Sequence, residues 1–172
     1  MIMTHNIYLA GGCFWGLEHF FKQMQGVVDT EVGYANGNVE NPTYQDVCTD
    51  ETGFAETVRV CYDPTVIGLD TLLTMHFLAI DPLSVNKQGE DEGTQYRTGI
   101  YYCDSTDLPL IEQKMDEVAE RYNGPLAVEV QPLRNFYPAE DYHQDYLEKN
   151  PTGYCHVPVA LFEMARRFRS GE

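Results

Sequence analysis

The stretch that most constrains the fold lies near the N-terminus, where residues 11–16 read GGCFWG. The four residues before it form a short apolar run, and such a run bounded by glycines predicts a buried strand. The residues after it are apolar at helical spacing as far as a glycine stop signal, at Leu17, Phe20, Phe21, Met24 and then Gly26. The sequence therefore places Cys13 where a strand ends and a helix begins.

A cysteine at that point is favoured as a nucleophile. The first turn of a helix carries unpaired N–H groups and the positive end of the helix dipole, and both stabilise a thiolate. The dipole contributes about 0.3–2 kcal/mol, so we expect the pKa of Cys13 to fall from about 8.5 towards neutrality. The alternative is a small, inert residue packed under the helix, since buried cysteines of that kind are common.

Composition and charge narrow the classes of function. The chain has 172 residues, 43% of them hydrophobic, and is expected to form one domain with a full core. Its net charge of −16 repels phosphate backbones, which argues against nucleic acid as a partner. No run is long and apolar enough to span a membrane, and residues 1–6 lack the pattern of a secretory signal. We therefore predict no membrane partner and a cytoplasmic location, where free thiols persist.

The cysteines are odd in number and widely spaced: Cys13, Cys48, Cys61, Cys103 and Cys155. There is no CxxC motif and no Cys/His spacing typical of a zinc site. This pattern argues against a structural disulfide framework, and it leaves open a catalytic thiol with one partner. Cys61 and Cys103 belong to strand-like runs and are predicted to be structural.

A carboxyl group on a predicted strand is the candidate acid. Residues 53–64 alternate with a period of two, which predicts a strand. Glu56 shares a face of this strand with Val58, Val60 and Tyr62, so we expect its carboxyl group to be buried. Burial raises the pKa of a carboxyl group and keeps it protonated as a general acid near neutral pH. An exposed carboxylate at a strand end is the alternative.

Two polar segments, residues 35–52 and 86–98, are predicted to be loops because they are rich in turn-forming residues. Long loops in compact domains are often functional. The candidate groups on these loops are Tyr44, Cys48, Asp91 and Tyr96. The second loop follows a buried helix and leads into a strand, so we expect it either to be solvated or to return to the sheet edge near Cys13.

The remaining elements follow from periodicity. Strands are predicted at residues 27–34, 99–102 and 126–131, and helices at residues 69–80, 111–122, 138–147 and 159–168. The helix at 69–80 is apolar almost all round, so its His76 is expected to be a core histidine. A turn at 150–153 leaves Cys155 on a segment that we expect to be exposed and mobile. Strands and helices are interleaved, which predicts an α+β fold, a two-layer sandwich with helices packed on a mixed β-sheet.

The candidate groups form a set suited to thiol redox chemistry: a thiol at a helix start (Cys13), aromatic neighbours (Phe14, Trp15), a buried acid (Glu56), loop phenols (Tyr44, Tyr96) and a second thiol (Cys155). Phenols offer O–H donors to an oxygen atom on a substrate.

These residues lie within sequence blocks that resemble the type A peptide methionine sulfoxide reductases, which reduce the S epimer of methionine sulfoxide. The blocks are Gly12-Cys13-Phe14-Trp15-Gly16, Gly33-Tyr34-Ala35, Asn41-Pro42-Thr43-Tyr44, Thr52-Gly53-Phe54-Ala55-Glu56, Gly93-Thr94-Gln95-Tyr96-Arg97 and Ala139-Glu140-Asp141-Tyr142-His143-Gln144. They come in the family's order and span about residues 7–155. The resemblance implies a ferredoxin-like-related core and a single catalytic domain over residues 1–172, with residues 148–172 as a tail.

The resemblance also implies a role for each candidate residue. Cys13 would attack the sulfoxide sulfur and become a sulfenic acid, while Glu56 protonates the oxygen with help from Tyr44 and Tyr96. Cys155 would then form a disulfide with Cys13, and thioredoxin would reduce it as an external reductant, with no bound cofactor.

Substrate contacts are implied for three further residues. Phe14 and Trp15 would hold the S-methyl group of the sulfoxide. Asp91 would contact the substrate main chain or order its loop. The substrates would be proteins and peptides that contain methionine sulfoxide.

The chain departs from the family pattern at three places. Phe54 and Glu92 stand where the family usually or often has histidine. A glycine-rich tail usually follows the resolving cysteine, whereas this chain continues His156-Val157-Pro158 and then a helix-like run. Cys48 is therefore kept as a second candidate for the resolving thiol.

Other classes of function remain as alternatives. A different thiol enzyme, such as a peroxide reductase, would use the same nucleophile. A non-catalytic module would bind methionine sulfoxide peptides unchanged. A metal site built from the five Cys and five His has no supporting ligand spacing.

Overall fold

The computed structural model describes residues 3–153, 155 and 157–167. Its strands are β1 (His5–Ala10), β2 (Val27–Ala35), β3 (Ala55–Tyr62), β4 (Lys87–Gln88), β5 (Asp91–Glu92), β6 (Gly99–Tyr102), β7 (Glu129–Pro132) and β8 (Phe136–Pro138). Its helices are α1 (Phe14–Lys22), α2 (Tyr44–Cys48), α3 (Leu69–Ala79), α4 (Leu108–Tyr122), α5 (Tyr146–Lys149) and α6 (Val159–Arg167).

Six strands form one mixed sheet in the order β7-β6-β1-β3-β2-β8. Neighbouring strands are antiparallel except β6 and β7, which are parallel. Ala10, at the end of β1, lies opposite Thr57 of β3 and Gly99 of β6. The residues that follow β1 therefore emerge beside the start of β3 and the segment that leads into β6.

The helices cover one face of the sheet, as the predicted sandwich requires. Alternate residues of β1, such as Ile7 and Leu9, join a large core with apolar residues of α1, α3, α4 and α6. The other residues of β1, Tyr8 and Ala10, join a small cluster with Phe136 on the opposite face. The mixed sheet with packed helices is thus confirmed.

Most predicted elements are present, with shifted ends. The strand predicted at 126–131 begins at Glu129. The helix predicted at 159–168 is described as far as Arg167, and Phe168 lies outside the described residues. His76 is fully buried on α3, as predicted for a core histidine.

Both predicted loops contain short regular elements. Residues 44–48 form helix α2, which begins at a capping box in which the Thr43 hydroxyl and the Asp46 carboxylate bond each other's backbone N–H groups. Residues 86–98 contain the β4–β5 hairpin and a 3-10 turn, Thr94–Tyr96. The predicted return of this loop to Cys13 is confirmed, because the Gly12 N–H donates to the Tyr96 carbonyl at 3.1 Å.

The prediction of a helix at residues 138–147 is wrong. Pro138 pairs with Gly33 in the sheet, and only a 3-10 turn, Asp141–His143, and the four-residue helix α5 follow. The Gln144 side chain bonds both the N–H and the carbonyl of Val32, at 2.9 and 2.8 Å. Asp145 then adopts a left-handed backbone with φ of 53°. These long-range bonds outweigh the helical pattern, because they anchor the segment to β2.

Two cysteine predictions also need correction. Cys155 is half-buried rather than exposed, and it packs at the edge of the main core. Cys103 is exposed directly after β6, so it is not a packed structural residue. Cys61 is half-buried on β3.

None of the helices among the described residues has both the length and the apolar character needed to cross a bilayer.

Candidate active site

Cys13 lies at the N-cap of α1, where its backbone is extended and its side chain is almost fully buried. The turn before it uses a positive φ of 74° at Gly12, a conformation that glycine adopts without strain. A Cβ atom on Gly11 would lie 2.4 Å from Cγ2 of Ile80, so this glycine allows close packing against the end of α3. The Trp15 backbone N–H donates to the Cys13 thiol. The predicted position of Cys13 is confirmed.

The predicted lowering of the Cys13 pKa is wrong for the free protein. Burial raises the pKa of the thiol well above its ordinary value, and the nearby Glu56 carboxylate raises it further. The hydrogen bond from Trp15 acts in the opposite direction and is outweighed. Protonation of Glu56 removes the charge that opposes thiolate formation, so the two groups are electrostatically linked.

Glu56 is fully buried beside Cys13, as the strand pattern predicted. Its Oε1 accepts from the Phe14 N–H at 3.3 Å, and its Oε2 accepts from Nε2 of Gln95 at 3.1 Å. Burial raises the pKa of Glu56 to about 8, although both hydrogen bonds favour the charged form. The carboxyl group is therefore protonated at neutral pH, the state required of a proton donor.

We expect the free energy of unfolding of Glu56→Gln, relative to that of the wild type, to increase as the pH rises. The folded-state carboxyl holds its proton up to about pH 8, while the unfolded carboxyl loses it near its ordinary value of 4.5. Between these values unfolding releases a proton, so rising pH favours unfolding of the wild type by up to about 1.4 kcal/mol per unit. Denaturant unfolding at pH 5, 6.5 and 8 measures the difference in free energy of unfolding between Glu56→Gln and the wild type. Glu92→Gln, at an exposed position, is the control. A difference that does not change with pH would contradict the burial of a protonated Glu56.

Tyr44 and Tyr96 approach each other from the two loops, and their hydroxyl groups are hydrogen-bonded. Burial, and then the charge of Glu56, raises the pKa of both phenols, so they remain O–H donors. Cys48 lies at the edge of the same group, where its thiol contacts the Tyr44 hydroxyl and accepts from Nε2 of Gln95 at 3.5 Å.

An aromatic wall stands beside Cys13. The half-buried Trp15 stacks on Tyr146 with ring centroids 3.7 Å apart and planes inclined by 11°. Nε1 of Trp15 donates to Nδ1 of His143 at 3.0 Å, and the His143 ring lies 4.6 Å from that of Tyr44. Phe14 is fully buried behind His143, at a centroid distance of 5.2 Å. Trp15, Tyr44 and Tyr146 are all half-buried, so each exposes part of its ring.

The other two predicted site residues, Asp91 and Cys155, interact electrostatically with this centre. Asp91, on β5, is close enough for its charge to raise the pKa of both Glu56 and Cys13. Cys155 also influences Cys13 electrostatically, but its thiol is held locally against the carbonyl and N–H of Val157. It lines a cavity of about 680 Å³ that is bordered by α5 and α6. All five cysteines are free thiols.

Four residues of the site were assigned no role from the sequence, and one of them is Tyr146, which stacks on Trp15. Gln95 anchors Glu56, and His143 anchors Trp15. The Glu140 carboxylate accepts from the Tyr34 hydroxyl at 2.8 Å and from the Tyr44 N–H at 3.0 Å, which fixes the start of α2. For Gln95, Glu140 and His143, only the position inside the sequence blocks could have pointed to a role in the site. Local periodicity does not reveal contacts between residues that lie 39 to 128 positions apart in the sequence.

Phe54, one of the departures from the family pattern, lies in an apolar environment. It is buried, packs edge-on against Tyr137 at 5.8 Å and covers Gly37, where a Cβ atom would lie 2.2 Å from the ring. Glu92 is exposed on β5 opposite Lys87. Both positions are therefore compatible with the observed packing.

Across the described residues, no three His, Cys, Asp or Glu side chains come together in an arrangement that would hold a metal ion.

A family model described as peptide methionine sulfoxide reductase matches residues 5–170, nearly the whole chain. The chain belongs to the peptide methionine sulfoxide reductase family. This membership makes it an oxidoreductase that acts on methionine sulfoxide, and it favours that activity over a peroxide reductase or a non-catalytic peptide-binding module.

Individual members of the peptide methionine sulfoxide reductase family support this assignment. A relative from Lachnoclostridium phytofermentans, named peptide methionine sulfoxide reductase MsrA, is 52% identical over 164 residues, which are 95% of this chain and 99% of the relative. The reduced form of Mxr1 from Saccharomyces cerevisiae has a TM-score of 0.86 and 40% identity, and covers 90% of this chain and 91% of its own. Mxr1 in complex with Trx2 has a TM-score of 0.59 and 29% identity, and the match covers 83% of this chain and 84% of the Mxr1 complex chain.

Proposed function

We propose that the protein reduces the S epimer of methionine sulfoxide, free or within proteins, by direct attack of Cys13 on the sulfoxide sulfur. The observation that carries this proposal is the convergence of the Cys13 thiol and the protonated Glu56 carboxyl group at the start of α1. The attack forms a bond between the Cys13 sulfur and the sulfoxide sulfur while the sulfoxide oxygen is protonated. The hydroxyl group then moves to the Cys13 sulfur as the S–S bond breaks, and the electron pair of that bond stays on the substrate sulfur. Cys13 is thereby oxidised to sulfenic acid, and the sulfoxide is reduced to methionine. In the net reaction, the thiol proton and the transferred oxygen together form the sulfenic S–OH group, so atoms and electrons balance.

Glu56 is proposed as the acid of this step. A sulfoxide sulfur becomes a better electrophile when its oxygen takes up a proton or a strong hydrogen bond. Glu56 becomes negatively charged when it gives its proton to the sulfoxide oxygen, and it regains a proton from the Cys13 thiol. The nearby phenols of Tyr44 and Tyr96 stay protonated and donate hydrogen bonds to the same oxygen. The raised pKa of Cys13 fits a thiol that ionises only when substrate and protonated acid are in place.

The aromatic wall is proposed to bind the S-methyl group. The exposed part of Trp15 offers an apolar surface beside Cys13, and Phe14 supports it from behind. Asp91, whose charge reaches the site, is proposed to contact the substrate main chain or to order its loop.

Cys155 is proposed as the resolving thiol. It condenses with the Cys13 sulfenic acid to give a Cys13–Cys155 disulfide and water. Thioredoxin then reduces this disulfide as the external reductant, with no bound cofactor, a step that the complex of Mxr1 with the thioredoxin Trx2 supports. Arg166 bonds Gln23 at 2.8 Å and so holds α6 to α1, and α6 is therefore not expected to move when Cys155 reaches Cys13.

Four broader features complete the proposal. Residues 1–172 form a single catalytic domain, with residues 148–172 as the tail that carries the resolving cysteine. The order β6-β1-β3-β2 supports a ferredoxin-like-related core. The net charge of −16 argues against nucleic acid as a partner, and no membrane partner is proposed. The cytoplasm stays the predicted location, because its reducing conditions suit the five free thiols.

Thiol mapping tests the whole scheme. The fully reduced protein is incubated with the S epimer of methionine sulfoxide without reductant, and the remaining thiols are alkylated and located by mass. Formation of methionine with loss of Cys13 and Cys155 as a linked pair is the expected result. Loss of Cys13 with Cys48 would keep the reaction and change the resolving step. Five alkylated thiols and no methionine would overturn the proposal.

Replacing Cys155 with serine is expected to preserve one turnover and abolish cycling driven by thioredoxin, because the first step needs Cys13 but not its partner. Single-turnover methionine release and thioredoxin-coupled oxidation of a reduced nicotinamide cofactor measure the two steps. Cys48→Ser is the matched control and should cycle normally. Continued cycling by the Cys155 variant would point to Cys48 or to direct reduction of the sulfenic acid.

A further inference from the structure

A buried carboxyl group behind the aromatic wall has no part in the proposed reaction. Glu18, on α1, is only 2% exposed. Its Oε1 accepts from the backbone N–H of Asp145 at 2.8 Å, and its Oε2 accepts from the Thr30 hydroxyl at 2.9 Å. Burying a carboxyl group is costly unless its oxygens are hydrogen-bonded, so these two contacts are what make its position tolerable.

The residue that Glu18 holds has an uncommon backbone. Asp145 adopts the left-handed conformation, with φ of 53° and ψ of 34°, which is unfavourable for a residue with a Cβ atom. Lys22, one turn after Glu18 on α1, also pairs with the carboxylates of Asp145 and Glu148. The start of α5 is therefore fastened to α1 by one buried contact and by ion pairs at the surface.

The turn at Asp145 sets the geometry of the wall. His143 accepts from the Trp15 indole two residues before the turn, and Tyr146 stacks on Trp15 immediately after it. Gln144 is anchored to β2, so the placement of Tyr146 relative to His143 depends on the backbone conformation of Asp145. A right-handed backbone there would send the chain in another direction and separate Tyr146 from Trp15.

We propose that Glu18 is a positioning residue of the sulfoxide site. By holding the Asp145 N–H it keeps Tyr146 stacked on Trp15, and it thereby sets the affinity for the substrate's S-methyl group rather than the rate of the chemical step. This inference rests on the proposed function only in assigning the wall to substrate binding. The stacking itself is testable without substrate.

The test compares Glu18→Ala with Glu18→Gln in the full-length protein, with Glu112→Ala, which removes an exposed carboxyl group from α4, as control. Trp15 is the single tryptophan of the chain, so its fluorescence reports on the wall directly. We expect Glu18→Ala to change the Trp15 emission and to raise KM about tenfold, or about 1.4 kcal/mol, with little change in kcat. Glutamine should rescue both, because its amide oxygen accepts from Asp145 and its NH2 group donates to Thr30. Glu112→Ala should leave both readouts near wild type.

The double variant Glu18→Ala/Asp145→Gly extends the test should Glu18→Ala fold poorly. Glycine takes the left-handed conformation without strain, so it should bring folding and emission back towards wild type. The inference would be overturned if the double variant showed no such rescue, or if Glu18→Ala left emission and KM unchanged. It would also be overturned if kcat and kcat/KM fell equally in Glu18→Ala, or if Glu18→Gln were as impaired as Glu18→Ala. Failure of the wild type to reduce methionine sulfoxide would instead overturn the proposed function, and the emission data would still decide the role of Glu18.

Discussion

Replacement of Cys13 by serine is expected to reduce sulfoxide reduction to background. The step transfers an oxygen atom to the attacking sulfur, and a serine hydroxyl cannot be oxidised in this way. The thiol is buried beside the protonated Glu56, which is the arrangement that the proposed attack requires. Methionine formed from the S epimer in a single turnover measures the loss.

The Cys13 experiment also separates catalysis from binding. Because serine is nearly isosteric with cysteine, the Trp15 wall should remain and a methionine sulfoxide peptide should still bind. Cys103→Ser, at an exposed position after β6, is the control and should keep full activity. Methionine formation by the Cys13 variant would remove this residue as the nucleophile.

Replacement of Glu56 by alanine is expected to slow the first step by about 10²–10⁴-fold, the usual contribution of a positioned general acid. The structure gives the reason, since the carboxyl group has a pKa of about 8 and lies against the Phe14 N–H at the start of α1. Burial maintains the proton that the sulfoxide oxygen needs. Rapid-quench measurement of methionine formation, with reduced enzyme in excess, isolates this step.

The pH profile distinguishes the acid from a mere packing residue. In the wild type, the rate of the first step should fall as the pH rises through about 8, where Glu56 loses its proton. Glu56→Gln retains a hydrogen-bond donor but cannot transfer a proton, so it should be faster than the alanine variant and lack this pH dependence. An unchanged single-turnover rate in Glu56→Ala would exclude Glu56 from the mechanism.

The strand–turn–helix around Cys13 was predictable because its signals are local. Apolar runs, helical spacing and glycines reflect short-range sterics and burial, which the residues themselves encode. The same holds for Glu56, whose face of β3 follows from the two-residue period of a strand. The prediction of a helix at residues 138–147 failed because the contacts that decide this segment are not local. Its helical spacing is real, but Gln144 and Asp145 are committed to β2 and α1, and such bonds leave no trace in local periodicity.

The sequence by itself determined the mixed α+β architecture, the position of Cys13 at the start of α1 and, through its motif blocks, the family. Only the tertiary structure decided the protonation of the site and the composition of its wall. The pKa of Cys13 rises instead of falling because burial and the Glu56 charge outweigh the start of α1. The wall depends on His143 and Tyr146, more than 120 residues from Trp15. Desolvation and contacts between distant segments exist only after the chain has folded.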